Sequence, residues 1–183
     1  MNGKAIGLIE ISSVAAGFAV ADEMLKAGDV QLILSRSICS GKFMVLIGGA
    51  VASVQQAIEA GTVEADGYLI DKFIISNVHA DVFAALGRSQ VPEQVSALGI
   101  VESFSVASLL EGADAAAKAA NVKLLEIRLA MALGGKAYCT FTGDVAAVQS
   151  AVHAATQVIA ERGLLVNAVV ISRPDPDIWR ELV

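Results

Sequence analysis

Hydrophobic and polar positions along this chain follow one pattern, and the pattern runs twice. Ala5–Glu10 is a short apolar run, which predicts a strand. Across Val14–Ala27, Ala15, Phe18, Ala19 and Leu25 recur at helical spacing, with Ser12 or Ser13 placed to cap the start and Gly28 to stop it. Val30–Ile38 is apolar with β-branched residues and predicts a second strand. Gly41 marks a turn, and Phe43–Ile47 follows as a third strand. Ala50–Ala60 carries Val51, Val54, Ala57 and Ile58 on one helical face, and Tyr68–Ile75 after Gly67 closes the series as a strand. From residue 98 the order returns: strand Leu98–Glu102, helix Val106–Ala120, strands Val122–Leu129 and Ala137–Phe141, helix Val145–Ala160, strand Leu164–Ile171.

The residues themselves repeat as well as the pattern. Ala5-Ile-Gly-Leu-Ile-Glu10 returns as Ala97-Leu-Gly-Ile-Val-Glu102, and Ala21-Asp22 with Lys26-Ala27 returns as Ala113-Asp114 with Lys118-Ala119, both at an offset of 92. Gly41-Lys42 returns as Gly135-Lys136 at 94, and Asp81-Val82…Leu86 as Asp177-Ile178…Leu182 at 96. A repeat of this length is a whole domain, longer than the ~20–50 residues of a solenoid unit. The expected fold class is α+β: two tandem domains, each β-α-β-β-α-β in a ferredoxin-like, split βαβ arrangement with its helices on one face of an antiparallel sheet. Gly87–Gln94 is polar, contains Pro92 and lacks periodicity, so residues 1–90 are expected to form the first domain and 97–183 the second, with a linker about 88–96.

Composition sharpens this picture. Hydrophobic residues make up 55% of the chain, with 16 Gly besides, against an ordinary ~45–50% that includes Gly. Polar surface is therefore scarce, which points to oligomerisation. No apolar run approaches the ~18–20 residues of a membrane span, and Glu10 interrupts the opening segment, so neither a membrane partner nor a secretory signal is expected. A net charge of −6 without a Lys/Arg stripe argues against nucleic acid. Two cysteines, Cys39 and Cys139, make no disulfide framework and fit a reducing cytoplasm. No phosphate-binding glycine loop, zinc-protease or serine-hydrolase motif is present, and nothing assembles a nucleophile, base and orienting group, so no enzyme activity is expected. His79 and His153 occupy non-matching repeat positions and read as structural, as do the recurring strand residues Glu10 and Glu102.

Four features in order, twice, carry a resemblance: the opening Ala-Ile-Gly-Leu-Ile-Glu, the Ala-Asp…Lys-Ala helix end, the Gly-Lys turn before a strand with Gly49–Val54 and Gly143–Val148 after it, and the closing Val170-Ile-Ser-Arg173-Pro174. Together they resemble bacterial microcompartment (BMC) shell proteins with tandem BMC domains. Ser35–Phe43, Met131–Lys136 and Trp179-Arg180 look most like the PduT-like trimeric type. That resemblance implies a homotrimer, pseudohexameric in its six domains, tiled edge to edge with other shell proteins around enclosed enzymes.

The resemblance also assigns roles to residues. It implies a central pore lined by Ser37, Ile38, Cys39, Ser40 and Gly41 from the first copy and by Met131, Ala132, Leu133 and Gly134 from the second. Three Cys39 thiolates on a threefold axis would hold three corners of a 4Fe-4S cluster, for electron transfer across the shell and contact with encapsulated redox enzymes. Zinc or a bare oxidisable thiol are other chemistries for three such cysteines. A lone Cys is otherwise usually a small buried hydrophobe, which is the reading for Cys139. Lys26 and Lys118 suit helix C-termini in any protein; the resemblance implies that they and Arg173 act in tile-edge assembly. A metabolite-conducting tile without a cluster and a small-ligand-binding regulatory module are the alternative functions.

Overall fold

The structure, a computed structural model, describes residues 5–86, 94–130 and 133–180, with Ser40, Trp179 and Arg180 described by their backbone. It divides into two compact units, Met1–Val78 and His79–Val183.

In the first unit, β1 (Ala5–Ile11), α1 (Val14–Ala27), β2 (Val30–Ile38), β3 (Lys42–Gly49), α2 (Val51–Ala65) and β4 (Leu69–Ser76) follow in order. The strands form one antiparallel sheet in the order β2-β3-β1-β4. The β1–β3 register sets Ile9 opposite Val45 and Ile11 opposite Phe43. On that face the core gathers Ile9, Phe43, Val45 and Ile47 from the sheet, Val20 and Met24 from α1, and Val54 and Ile58 from α2. Gly17, Val20, Ala21 and Met24 are buried at the i, i+3, i+4, i+7 spacing of a helix lying on a sheet. Ile6, Leu8, Met44 and Leu46, which alternate with these along β1 and β3, are also fully buried.

The start of α1 is capped by Ser13, whose hydroxyl accepts from the Ala16 N–H at 3.3 Å, so Ser13 rather than Ser12 is the cap. Gly28 ends the helix with φ −139°, an extended conformation rather than the left-handed stop expected of it. Its lack of a side chain serves packing instead, because a Cβ there would lie 2.6 Å from the Ser53 carbonyl oxygen.

The second unit opens with a short helix, α3 (Ala80–Ala85), followed by β5 (Ala97–Ser103), α4 (Val106–Ala119), β6 (Lys123–Leu129), β7 (Ala137–Gly143), α5 (Val145–Glu161), β8 (Leu165–Ser172) and α6 (Pro176–Arg180). Its sheet order, β6-β7-β5-β8, reproduces the first. Even the irregularities are copied: the register shifts at Glu10/Ile11 and Leu32/Leu34 recur at Glu102/Ser103 and Leu124/Glu126. The α+β class and the β-α-β-β-α-β order expected for each copy are what the structure shows.

Helices α3 and α6 were not expected. At six and five residues they are too short for a hydrophobic period to register. Although α3 precedes the expected linker, it packs on α4 and β6 of the second unit, with Val82 and Ala85 fully buried. The His79 N–H donates to Asp114 Oδ1 at 2.8 Å, and Leu86 makes a parallel bridge to Ile127. Most of the expected linker, including Pro92, lies outside the described residues.

Candidate functional site

Cys39 opens a single 3₁₀ turn, Cys39–Gly41, that joins β2 to β3. The turn is tight because Ile38 and Lys42 are the last paired residues on either side of it. Gly41 closes it at φ +72°, a left-handed conformation that suits glycine, and a Cβ there would meet nothing within 4 Å. Ser37 and Gly41 are exposed, Ile38 is buried and Cys39 is half-buried, so the thiol sits at the surface end of the hairpin. The structure thus brings Ser37, Ile38, Cys39 and Gly41 together, with the Ser40 backbone between them.

Just behind the turn, the Lys42 ammonium donates to Glu10 Oε1 at 2.8 Å, tying the start of β3 to β1. The second copy repeats this with Lys136 and Glu102 at 2.6 Å. The recurring glutamates are therefore structural, as their place in a strand suggested. They anchor the lysine of each Gly-Lys turn.

The second copy's turn is longer. Ala130 N–H donates to the Lys136 carbonyl at 3.1 Å, and Lys136 N–H to the Leu133 carbonyl at 3.1 Å. Left-handed φ values at Gly134 (+61°) and Gly135 (+87°) carry the chain round. Leu133 is half-buried and Gly134 exposed; Met131 and Ala132 lie outside the described residues.

One polar cluster near this second turn was missed from sequence. Glu126 on β6 is buried, accepts from Arg128 at 2.6 Å and from the Tyr138 hydroxyl at 2.9 Å, and Arg128 lies 5.8 Å over the Tyr138 ring. Burial, then the hydrogen bond to Glu126, pushes the Tyr138 phenol above its ordinary pKa. Leu34, Arg36 and Met44 hold the matching positions in the first copy, so the mismatch between repeats was the available signal.

Cys139 lies in β7 with no exposure, opposite Val101 and Ile127. Burial pushes its thiol up to about 12 from an ordinary 9.0, which keeps it protonated and inert. Lys26 ends α1 and pairs with Asp22 at the surface; Lys118 ends α4 and pairs with Asp114 at 2.5 Å. Arg173 is exposed at φ +49°, as is its repeat Asn77 at φ +54°. His79 caps α3 by accepting from the Asp81 N–H at 3.3 Å, and His153 is exposed on α5. Among the described residues, no group of three or more His, Cys, Asp or Glu could hold a metal ion, and no helix is long and apolar enough to cross a membrane.

Sheet order, copied bulges and the twice-anchored Gly-Lys turn define a tandem α+β module. The chain belongs to the BMC-domain family of bacterial microcompartment shell proteins: the BMC domain matches residues 5–78 and again 97–174. It is 43% identical over 180 residues to the bacterial microcompartment shell protein PduT of Citrobacter freundii, covering 98% of both chains. It is 37% identical over 84 residues to the shell protein EutM of Salmonella typhimurium, which spans 46% of this chain and 85% of that one. Among solved structures, a microcompartment protein from Desulfitobacterium hafniense superposes with a TM-score of 0.93 at 46% identity, covering 96% of this chain and 98% of that one. Proteins of this family are structural shell components, and this chain is one of them rather than an enzyme.

Proposed function

We propose that three copies of this chain form a pseudohexameric tile of a microcompartment shell in the bacterial cytoplasm, propanediol-utilisation-like in type, with Cys39 of each copy facing a central pore. The observation that carries this reading is the half-buried Cys39 at the head of the β2–β3 turn, in a chain that aligns end to end with PduT. Six BMC domains from three chains complete the ring that six single-domain proteins would otherwise form. Ser37, Ile38, Cys39, Ser40 and Gly41 line the pore from the first copy, and Met131, Ala132, Leu133 and Gly134 from the second.

The residues fit a 4Fe-4S cluster in one respect that the structure bears on directly. The donor chemistry is right, a surface thiol on an open turn beside a glycine with free space, while Cys139 is sealed in the core. A single chain offers no ligand group among its described residues, so a cluster would rest on three copies of Cys39. Such a cluster supplies one-electron transfer, and the tile would relay electrons between the interior and the cytoplasm. Lys26, Lys118 and Arg173 take the edge positions that join tiles.

Anaerobic purification of wild type and Cys39→Ser, with iron and labile sulfide assayed against chain concentration, tests this reading. Roughly four iron per three chains, lost in Cys39→Ser while the oligomer persists, supports the redox tile. An oligomer without iron, even after reconstitution, leaves Cys39 as a pore-lining thiol in a tile that conducts a small metabolite.

A further inference from the structure

Helices α3 and α6 are the same device at the end of each repeat. Asn77 and Arg173 both turn the chain through left-handed conformations, and Val78 and Pro174 behind them are both buried. His79 accepts from the Asp81 N–H at 3.3 Å and Asp175 from the Asp177 N–H at 2.9 Å. The Val82 N–H reaches the His79 carbonyl at 3.1 Å and the Ile178 N–H the Asp175 carbonyl at 3.0 Å.

Their surroundings differ. Helix α3 packs on α4 and β6, its Val82 fully buried, and the His79 N–H is bound to Asp114, which Lys118 holds from its other oxygen. Helix α6 leaves Ile178, the repeat of Val82, 56% exposed. The first copy carries the surface that matches α4 and β6, and it too is bare. Phe18 on α1 is 65% exposed where its repeat Leu110 is 0%, and Leu32 on β2 is 44% exposed where Leu124 is 1%. Asp22 pairs with Lys26 as Asp114 pairs with Lys118, yet Asp22 is exposed and Asp114 buried.

We infer that α6 of one copy seats on α1 and β2 of a second copy of this chain, with Ile178 covering the apolar surface around Phe18 and Leu32 and the Asp175 N–H donating to the Asp22 carboxylate. Both halves of this contact are exposed in one chain, so a second chain brings them together. The inference rests on the proposed trimeric tile and says which surfaces close it. Each chain gives one α6 and receives one, a head-to-tail contact that generates a ring where the rotation closes. Around that ring, α3 contacts inside chains alternate with α6 contacts between them.

Paired cysteines test this in a Cys39→Ser background, where Cys139 remains buried. A 2.8 Å N–H-to-carboxylate contact such as His79–Asp114 brings two backbones close to the ~4.4–6.8 Å Cα separation of a disulfide, and the His79/Asp114 control reports whether the pair links. Asp22→Cys with Asp175→Cys is expected to give disulfide-linked dimers and trimers on oxidation, and neither single variant should. His79→Cys with Asp114→Cys, the control, closes within one chain and leaves its denatured mass monomeric. Ile178→Asp is expected to weaken association about tenfold or more at each interface, the equivalent of one buried aliphatic side chain, with its circular dichroism unchanged. A wild-type trimer whose Asp22/Asp175 cysteines stay unlinked, or link within one chain, while Ile178→Asp associates normally, overturns the docking and leaves the trimer standing. A monomeric wild type overturns both.

Discussion

Exchanging Gly17 for leucine and Phe43 for alanine in the same chain would rewrite the first core in the form the second copy already uses. In the first copy the small residue is on the helix: a Cβ on Gly17 would lie 2.3 Å from the Phe43 ring, which also stacks tilted against Phe18 at 5.0 Å. At the matching positions the second copy has Leu109 on α4 and Ala137 on β7, both fully buried, so the bulk has moved from strand to helix. Phe43→Ala alone empties a fully packed site and is expected to cost ~3–5 kcal/mol. Gly17→Leu alone forces a side chain into the ring for ~1–3 kcal/mol or more, offset by about 1 kcal/mol of helix propensity. If the size exchange is the physical link, the double variant loses only ~1–2 kcal/mol, a coupling of roughly 3 kcal/mol between the sites. Urea unfolding of all four proteins at one chain concentration measures it. A double variant that loses the full sum of the singles would refute the reasoning.

Further outcomes concern Cys139, the Glu126–Tyr138 pair and Lys26. The Cys139 thiol has a folded pKa raised to about 12 from 9.0. Its contribution is therefore complete below pH ~9 and lost as pH climbs towards 12, so alkaline pH should lower the urea midpoint of wild type more than that of Cys139→Val. At pH 8, alkylation of the cluster-free protein should reach one thiol per folded chain, Cys39, and both in urea. Tyr138→Phe removes a hydrogen bond to a buried carboxylate and should cost ~1.5–3 kcal/mol by urea unfolding. Glu126→Leu with Tyr138→Met, which copies Leu34 and Met44, should recover most of it. Lys26→Asp should lower urea stability only slightly, because its pair with Asp22 is exposed, even though it places an anion beside Asp22 at the end of the helix. It should abolish extended sheets in negative-stain micrographs, whereas sheets that persist would remove Lys26 from the tile edge.

Much of the fold was legible because each element was written twice. Val14–Ala27 and Val30–Ile38 have in the structure the bounds that spacing gave them, and the remaining core strands and helices lie within a few residues. What escaped was short or used chemistry without a period. Helices α3 and α6 span barely a turn and a half, and their signal was a capping residue, His79 or Asp175, ahead of one aliphatic, Val82 or Ile178. Repetition of Asp81-Val82 as Asp177-Ile178 was plain in the sequence, but where each helix packs depends on surfaces distant along the chain. Gly28 reads as a helix stop on residue type alone, and only the approach of Ser53 reveals its packing role. The Glu126–Tyr138 hydrogen bond is invisible to periodicity, since the two residues lie on neighbouring strands and meet through register. Cys39 stood out because the two copies disagree there, Cys-Ser-Gly against a longer ligand-free turn. Its role rests on assembly, which one chain does not contain.

Native mass spectrometry of the anaerobically purified protein tests the central claim most directly. The expected species carries three copies of the 18.8 kDa chain plus the mass of one iron–sulfur cluster, and Cys39→Ser gives three chains alone. A single chain or an assembly whose chain number is not a multiple of three would contradict the trimeric tile, and three wild-type chains with no added mass would remove the cluster from it.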